Sequence, residues 1–232
     1  MRRNPVVYPN IRSATFVRRL NRFVADVELG GEPERVHVKN TGRLAGLLAP
    51  GAEVFLTTPG TAGRKTTYDL VAARDGDGRL FNVDSQATNT VVGAWLSAQG
   101  LSRVVPEYRY GASRIDFYLE REAAGAVERM LMEVKGCTLV KDGVGLFPDA
   151  PTARGARHLR ELMHAVGEGY RPLIAFVAQT DGVSEVRAHE EMDPTFAATL
   201  DEAWHLGVTV ITLPCHVEPD SLEVLPEVTL PF

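Results

Sequence analysis

Glu133 and Lys135 stand two residues apart in the stretch Leu131–Leu139, LMEVKGCTL. The stretch reads as a strand, whose side chains alternate between faces, so the acid and the amine share one side and Val134 points to the other. An acid and a lysine side by side on a strand are unusual, because buried charge is costly unless paired or bound to metal. A second acid, Asp116, lies in SRIDFYL (113–119), where alternation puts Ile115 and Phe117 on one face and Arg114 and Asp116 on the other. Gly125 lies near the middle of the linker 121–128. A hairpin centred there sets Asp116 opposite the Glu133–Lys135 pair, with Cβ atoms roughly 5 Å apart. Two carboxylates that close repel by about 3 kcal/mol at an effective dielectric near 20. Lys135 offsets part of this, and a divalent cation more. Oxygen-rich acid clusters suit Mg²⁺, which keeps several waters and shares phosphate oxygens. D…E-x-K is therefore the spacing of metal-assisted phosphodiester hydrolysis. Without Asp116, E-x-K fits better the alternating charges of a solvated strand face, which are common.

The elements that must position these groups read as follows. Residues 11–85 carry short strands (FVADVEL, RVHVKN, AEVFLTT, TTYDLVAAR, LFNVD) separated by turns such as GGEP, PGTAGR and DGDG. Five or so short strands at this spacing indicate a small closed barrel or sandwich. NTGRLAGLL (40–48) reads as a turn entering a short helix, whose N–H groups, with Asn40, Thr41 and Arg43, could hold a phosphate. TNTVVGAWLSAQ (88–99) reads as a helix capped by Thr88 or Asn89 and stopped at Gly100, with Trp95 in its core face. SRVVPEYRYG is an irregular strand carrying Glu107. A helix capped by Thr152 follows, with Leu159, Leu162, Met163 and Val166 inward and Arg154, Arg157, His158 and Glu161 outward. RPLIAFVAQ is apolar throughout and suits a strand covered on both faces. Asp193 and Pro194 start another helix, ended at Gly207, before a strand in VTVITLP. The second part of the chain is thus a mixed sheet with helices on both sides.

The chain has 232 residues and a net charge of −5. The charge is uneven: residues 1–85 carry a net +4, residues 86–180 a net +1 and residues 181–232 a net −10. A local basic face decides phosphate binding better than total charge. The first 25 residues offer Arg2, Arg3, Arg12, Arg18, Arg19 and Arg22 as a basic arm. Cys137 and Cys215 make neither a disulfide framework nor a zinc spacing. The beginning MRRNPVVYPN does not read as a signal peptide, and no apolar run is long enough to span a membrane. The expectation is a cytoplasmic protein.

NTGRLAGLLAPG, SRIDFYL, MEVKGCTL and FPDAPTARGARHLRELM closely resemble motifs of the sugar fermentation stimulation protein (SfsA) family, in order and over nearly the whole chain. The resemblance implies an N-terminal OB-like barrel (1–85) for nucleic-acid binding and a C-terminal α/β domain (86–232) similar to PD-(D/E)xK nucleases. It also implies DNA binding with little sequence preference. Asp116, Glu133 and Lys135 match the nuclease signature, and Glu107 is a fourth acid placed by its position in the preceding strand. The chain departs from the family pattern at HVKNTG, where Val38 and Lys39 replace an expected Cys-Pro.

The expected function is a Mg²⁺- or Mn²⁺-dependent DNA nuclease. Asp116 and Glu133 hold the metal, Lys135 and Glu107 assist, and Asn40, Thr41, Arg43, Arg114, Arg154, Arg157 and His158 contact the nucleic acid. A homodimer is left open. The alternative is a non-catalytic DNA-binding regulator of sugar-use genes on the same scaffold. A sugar-metabolising enzyme ranks last, since the chain has no nucleotide-phosphate loop and no clear acid pair of glycosidase type.

Overall fold

The computed structural model describes residues 5–60, 63–123 and 125–232. Arg2 and Arg3 of the basic arm lie outside the described residues. The first part contains β1 (Val6–Val7), β2 (Arg12–Asn21), β3 (Val24–Leu29), β4 (Glu32–Val38), β5 (Glu53–Thr57), β6 (Asp69–Arg74) and β7 (Leu80–Asn82). Strands β2 to β7 form one sheet in the order β4-β3-β2-β5-β6-β7, and a parallel pairing of His37–Val38 with Asp69–Leu70 joins β4 to β6 and closes it. Pairing β4 with β6 closes β4-β3-β2-β5-β6 into a five-stranded barrel, with β7 extending from β6, and so covers the edges those five strands would carry as an open sheet. The result is the small OB-like barrel that the family resemblance implied, where strand spacing alone left a barrel or a sandwich open. Phe16, Val27, Val36, Val54, Leu56 and Leu70 fill it.

Two readings of this region change. The segment from Arg12 to Asn21 is barrel strand β2, not a free basic arm. NTGRLAGLL forms a turn without a helix: Leu47 and Leu48 both donate backbone bonds to Leu44 O, and Leu44 itself has a φ of 50°. A leucine in the left-handed region interrupts helical geometry at its first turn.

The remainder contains α1 (Ala87–Leu96), β8 (Arg103–Tyr110), β9 (Ser113–Ala123), β10 (Ala126–Cys137), β11 (Val140–Lys141), β12 (Val144–Phe147), α2 (Ala153–Gly167), β13 (Arg171–Ala178), β14 (Val186–Ala188), α3 (Pro194–His205), β15 (Thr209–Glu218) and β16 (Ser221–Val224). Seven strands form a mixed sheet in the order β1-β16-β15-β13-β10-β9-β8, with β10, β13 and β15 parallel. Strand β1 pairs with β16, so the first described strand belongs to this second sheet. The short strands β11, β12 and β14 make a separate small sheet, which the sequence pattern did not show.

Helix α1 covers one face of the large sheet through Val91, Val92, Trp95 and Leu96. Helices α2 and α3 cover the other through Leu159, Leu162, Phe196 and Leu200. Strand β13 is buried on both faces, as its continuous apolar run requires. Trp95 is core, with Nε1 donating to Val228 O at 3.0 Å. Helix α1 starts at Gln86 without a side-chain cap, so Thr88 and Asn89 lie inside it. The caps read at Thr152 and Asp193 are present, donated to by the N–H groups of Gly155 and Phe196.

Candidate functional site

Strands β9 and β10 meet as a hairpin about Gly125, and their last backbone pair is Phe117 with Met132. One step further along this register, Asp116 lies opposite Glu133. Strand β9 changes faces here. Phe117 packs with α1, whereas Ile115 packs with α2 and α3, so the two do not share a face as simple alternation predicts. The Asp116 carboxylate then does what the next backbone acceptor would have done: Val134 N donates to its Oδ2 at 2.7 Å. Asn89 Nδ2, from α1, donates to its Oδ1 at 2.7 Å. Burial, and then the charge of Glu133, push the Asp116 carboxyl above its ordinary range, against these two donors and Lys135.

Glu133 points toward α2 and is buried. Its Oε1 takes two bonds, from Lys135 Nζ and from His158 Nδ1. Its Oε2 is buried and has no hydrogen-bond partner. Burial raises the pKa of this carboxyl, but the bond from His158 and the charge and bond of Lys135 outweigh burial and hold it below its ordinary value. Lys135 keeps a small exposed fraction.

His158 corrects the sequence reading. It does not stand on the outer face with Arg154 and Arg157 but is buried against Glu133. Its spacing to Leu162 and Ala165, at i+4 and i+7, is that of the inward stripe, and this signal was available in the sequence. Arg154 Nε donates to His158 Nε2 at 3.4 Å, which places the ring proton on Nδ1. A chain of contacts therefore runs from exposed Arg154 through His158 to Glu133. Asn89 is the other site residue that the sequence did not reveal, because its partner is set by helix α1 docking on the sheet.

The other candidates lie around this cluster. Glu107, with a φ of 54°, is exposed and paired to Arg114 at 3.0 Å; together with Asp116 and Asn89 it lines a shallow pocket. Thr41, Arg43 and Arg157 are exposed, and Arg157 stands 4.0 Å from Glu161. Asn40 is spent inside its loop, donating to Val83 O at 3.0 Å and accepting from Gly42 N at 2.7 Å. Arg19, read as part of the basic arm, turns inward and donates to the carbonyls of Asn21, Arg22, Asn40, Gly42 and Arg43.

No group of three or more His, Cys, Asp or Glu side chains forms a ready metal cage among the described residues. Two carboxylates are gathered, both as oxygen donors, and one buried oxygen is unpartnered. That donor set fits a hard divalent cation which completes its shell with water and phosphate oxygens.

An OB-like barrel followed by a mixed sheet that carries an Asp, a Glu and a Lys on its β9–β10 hairpin defines the class of protein. The model of the SfsA N-terminal OB domain matches residues 17–83, and that of the sugar fermentation stimulation protein RE domain matches residues 86–221. The chain belongs to the sugar fermentation stimulation protein family. It is 44% identical over 219 residues to a sugar fermentation stimulation protein homolog of Desulfitobacterium hafniense, covering 93% of this chain and 94% of that one. It is 41% identical over 221 residues to a homolog of Clostridium beijerinckii, covering 94% and 96%. Among solved structures it is similar to Pyrococcus furiosus SfsA in complex with Ca²⁺, with a TM-score of 0.82 and 28% identity over 99% of this chain and 100% of that one.

Proposed function

We propose that this protein is a divalent-cation-dependent phosphodiesterase of the PD-(D/E)xK type acting on DNA with little sequence preference. The observation that carries the reading is the buried, unpartnered Oε2 of Glu133 beside Asp116 and Lys135. A desolvated carboxylate oxygen without a donor costs free energy unless something positive occupies it. The related P. furiosus protein was solved with Ca²⁺, a hard cation of the type this donor set suits.

Asp116 and Glu133 would hold the cation, Mg²⁺ or Mn²⁺ in a working enzyme, with the Val134 carbonyl beside them. When bound, the cation supplies Lewis-acid stabilisation of phosphoryl oxygen charge. Lys135 orients the attacking water and stabilises charge that develops on the phosphorane. Glu107, at the rim, takes part through solvent. The barrel and the exposed Arg43, Arg114, Arg154 and Arg157 hold the backbone by charge, giving an affinity that falls with salt.

A second reading, a DNA-binding regulator on a nuclease-like scaffold, is favoured by one observation. Lys135 already offsets the charge of Glu133, and His158 donates to the same oxygen, so the buried carboxylate is held without a cation. Incubating plasmid and single-stranded DNA with purified protein in Mg²⁺, Mn²⁺ or EDTA separates the two. The enzyme reading expects cleavage with either metal, none in EDTA, and loss of cleavage with retained DNA binding in Asp116→Ala and Lys135→Ala. DNA left equally whole by wild type and variants sinks it, and a gel shift surviving at low salt then supports the regulator.

A further inference from the structure

A cavity of about 210 Å³ opens where the barrel meets the carboxyl end of β10. Its walls include Asn40 and Gly42 from the barrel side, and Gly136, Thr138, Asp149 and Gln179 from the sheet side. Ligands of α/β sheets bind beyond the carboxyl ends of parallel strands, and this cavity has that place relative to β10 and β13. It also follows Lys135 directly along the strand. Thr152, on its rim, stands six residues before His158, or about 9 Å along the helix. That is a nucleotide's reach from Glu133.

An amide oxygen and a carboxylate face the cavity from two walls, beside the hydroxyls of Thr41, Thr138 and Thr152. Gln179 is 1% exposed, and its Nε2 donates to Asn82 Oδ1 at 3.0 Å and to Asp84 O at 3.3 Å. Asn82 is fixed in turn, donating through Nδ2 to Tyr8 Oη at 2.9 Å. These bonds leave one orientation for the Gln179 amide, with Oε1 turned over Gly136. A Cβ built on Gly136 would come 2.3 Å from that oxygen, so only glycine leaves it room. No donor among the described residues engages Gln179 Oε1. Asp149 approaches from the opposite wall, its Oδ2 lying 2.8 Å from where a Cβ on Gly42 would be, and its carboxylate accepts no side-chain or backbone bond among the described residues. The cavity therefore presents two open acceptors, one of them anionic, beside the flat apolar wall of Phe147 and Pro148.

We infer that this cavity receives an unpaired nucleobase bearing an exocyclic amino group, one nucleotide from the scissile phosphate. The inference rests on the nucleic-acid reading above and extends it to the identity of one base. Carboxylates and amide oxygens accept from the amino groups of cytosine and adenine, and guanine offers an amino group and a ring N–H. Thymine has no exocyclic amine. A base in this enclosed position must be unstacked from its neighbours, so the preference belongs to single strands or extruded bases.

The test is fluorescence anisotropy with labelled oligo(dC), oligo(dA) and oligo(dT) of equal length, in EDTA so that nothing is cut, with a duplex of mixed sequence as a control. Wild type should bind oligo(dC) and oligo(dA) about tenfold tighter than oligo(dT). Asp149→Asn, which exchanges an acceptor for a donor of the same size, should bring that ratio toward one. Equal wild-type affinity for the three homopolymers, with the duplex still bound, overturns the base site and leaves the DNA-binding reading standing. An undiminished preference in Asp149→Asn also overturns it. Failure to bind any strand, duplex included, sinks the DNA-binding reading itself and the base site with it.

Discussion

His158 on α2 hydrogen-bonds through Nδ1 to Oε1 of Glu133 on β10, and both side chains are 3% exposed. Lys135 Nζ takes the same oxygen. The two donors pin one side of the carboxylate and leave the other side, Oε2, bare. Removing one donor leaves the acid buried with a single partner. His158→Ala should therefore destabilise the fold by about 3 kcal/mol, the size expected for losing a buried hydrogen bond to a carboxylate and leaving a cavity, read as a fall in the urea midpoint at constant m. A change below about 0.5 kcal/mol would show that the bond contributes nothing to the fold.

The bare oxygen has a second consequence. A cation that binds the folded site and not the unfolded chain stabilises by RT ln(1 + [L]/Kd), about 2.7 kcal/mol at a hundredfold excess over Kd. Wild-type Tm should rise on addition of Ca²⁺ or Mn²⁺ and return with EDTA, whereas Asp116→Ala should not respond. A variant that responds like wild type would remove Asp116 from the metal site.

Much of this arrangement was legible in sequence. The two-residue spacing of Glu133 and Lys135 and the glycine at 125 give the pair and a hairpin that sets Asp116 opposite it, and the hairpin register agrees. What alternation could not give was the switch of faces at Asp116, since an aspartate that replaces a backbone acceptor looks no different in sequence from one on a regular strand. His158 was misplaced for a different reason: its polarity outweighed its helical phase. Arg19 was read by charge alone, and its inward course depends on where the 40–43 carbonyls come to lie in three dimensions.

Asp193 serves two helices. Its Oδ1 accepts from Phe196 N at 2.9 Å to cap α3, and its Oδ2 accepts from Thr152 N at 2.7 Å, just before α2. A single N-cap is typically worth about 1 kcal/mol. Asp193→Ala should cost about 2 kcal/mol, more than Thr152→Ala, which removes the α2 cap alone. Equal losses in chemical denaturation would mean that the bond to Thr152 contributes nothing.

Exposed His216 donates through Nδ1 to Asp181 Oδ1 at 2.8 Å, and this bond and the aspartate's charge raise the histidine's pKa above its ordinary 6.5. The folded protein holds this proton more tightly than the unfolded chain does. The contribution to stability is therefore complete below pH 6.5 and is lost as pH rises through the raised folded value. Asp181→Asn should flatten that part of the stability-versus-pH curve, although it also weakens the bond from Val217 N and so lowers the curve as a whole. The slope above pH 6.5, not the height, is the quantity to compare.

Arg19 holds the 40–43 loop from beneath, with donor distances of 2.6 Å to both Asn40 O and Gly42 O. Those carbonyls are committed to the guanidinium, which leaves exposed Thr41 and Arg43 facing outward from a fixed turn. A lysine supplies one point of attachment where the planar guanidinium supplies several. Arg19→Lys should therefore leave the barrel folded, with a loss of about 1–3 kcal/mol, yet speed amide exchange at residues 40–43 relative to β3 and β5. If Arg43 is a phosphate contact, the same variant should weaken DNA binding without removing any charge. Unchanged exchange in the loop would show that the turn is held by its own Asn40–Gly42 bond, and a DNA affinity that drops nonetheless would then have to come from Arg19 itself touching the strand.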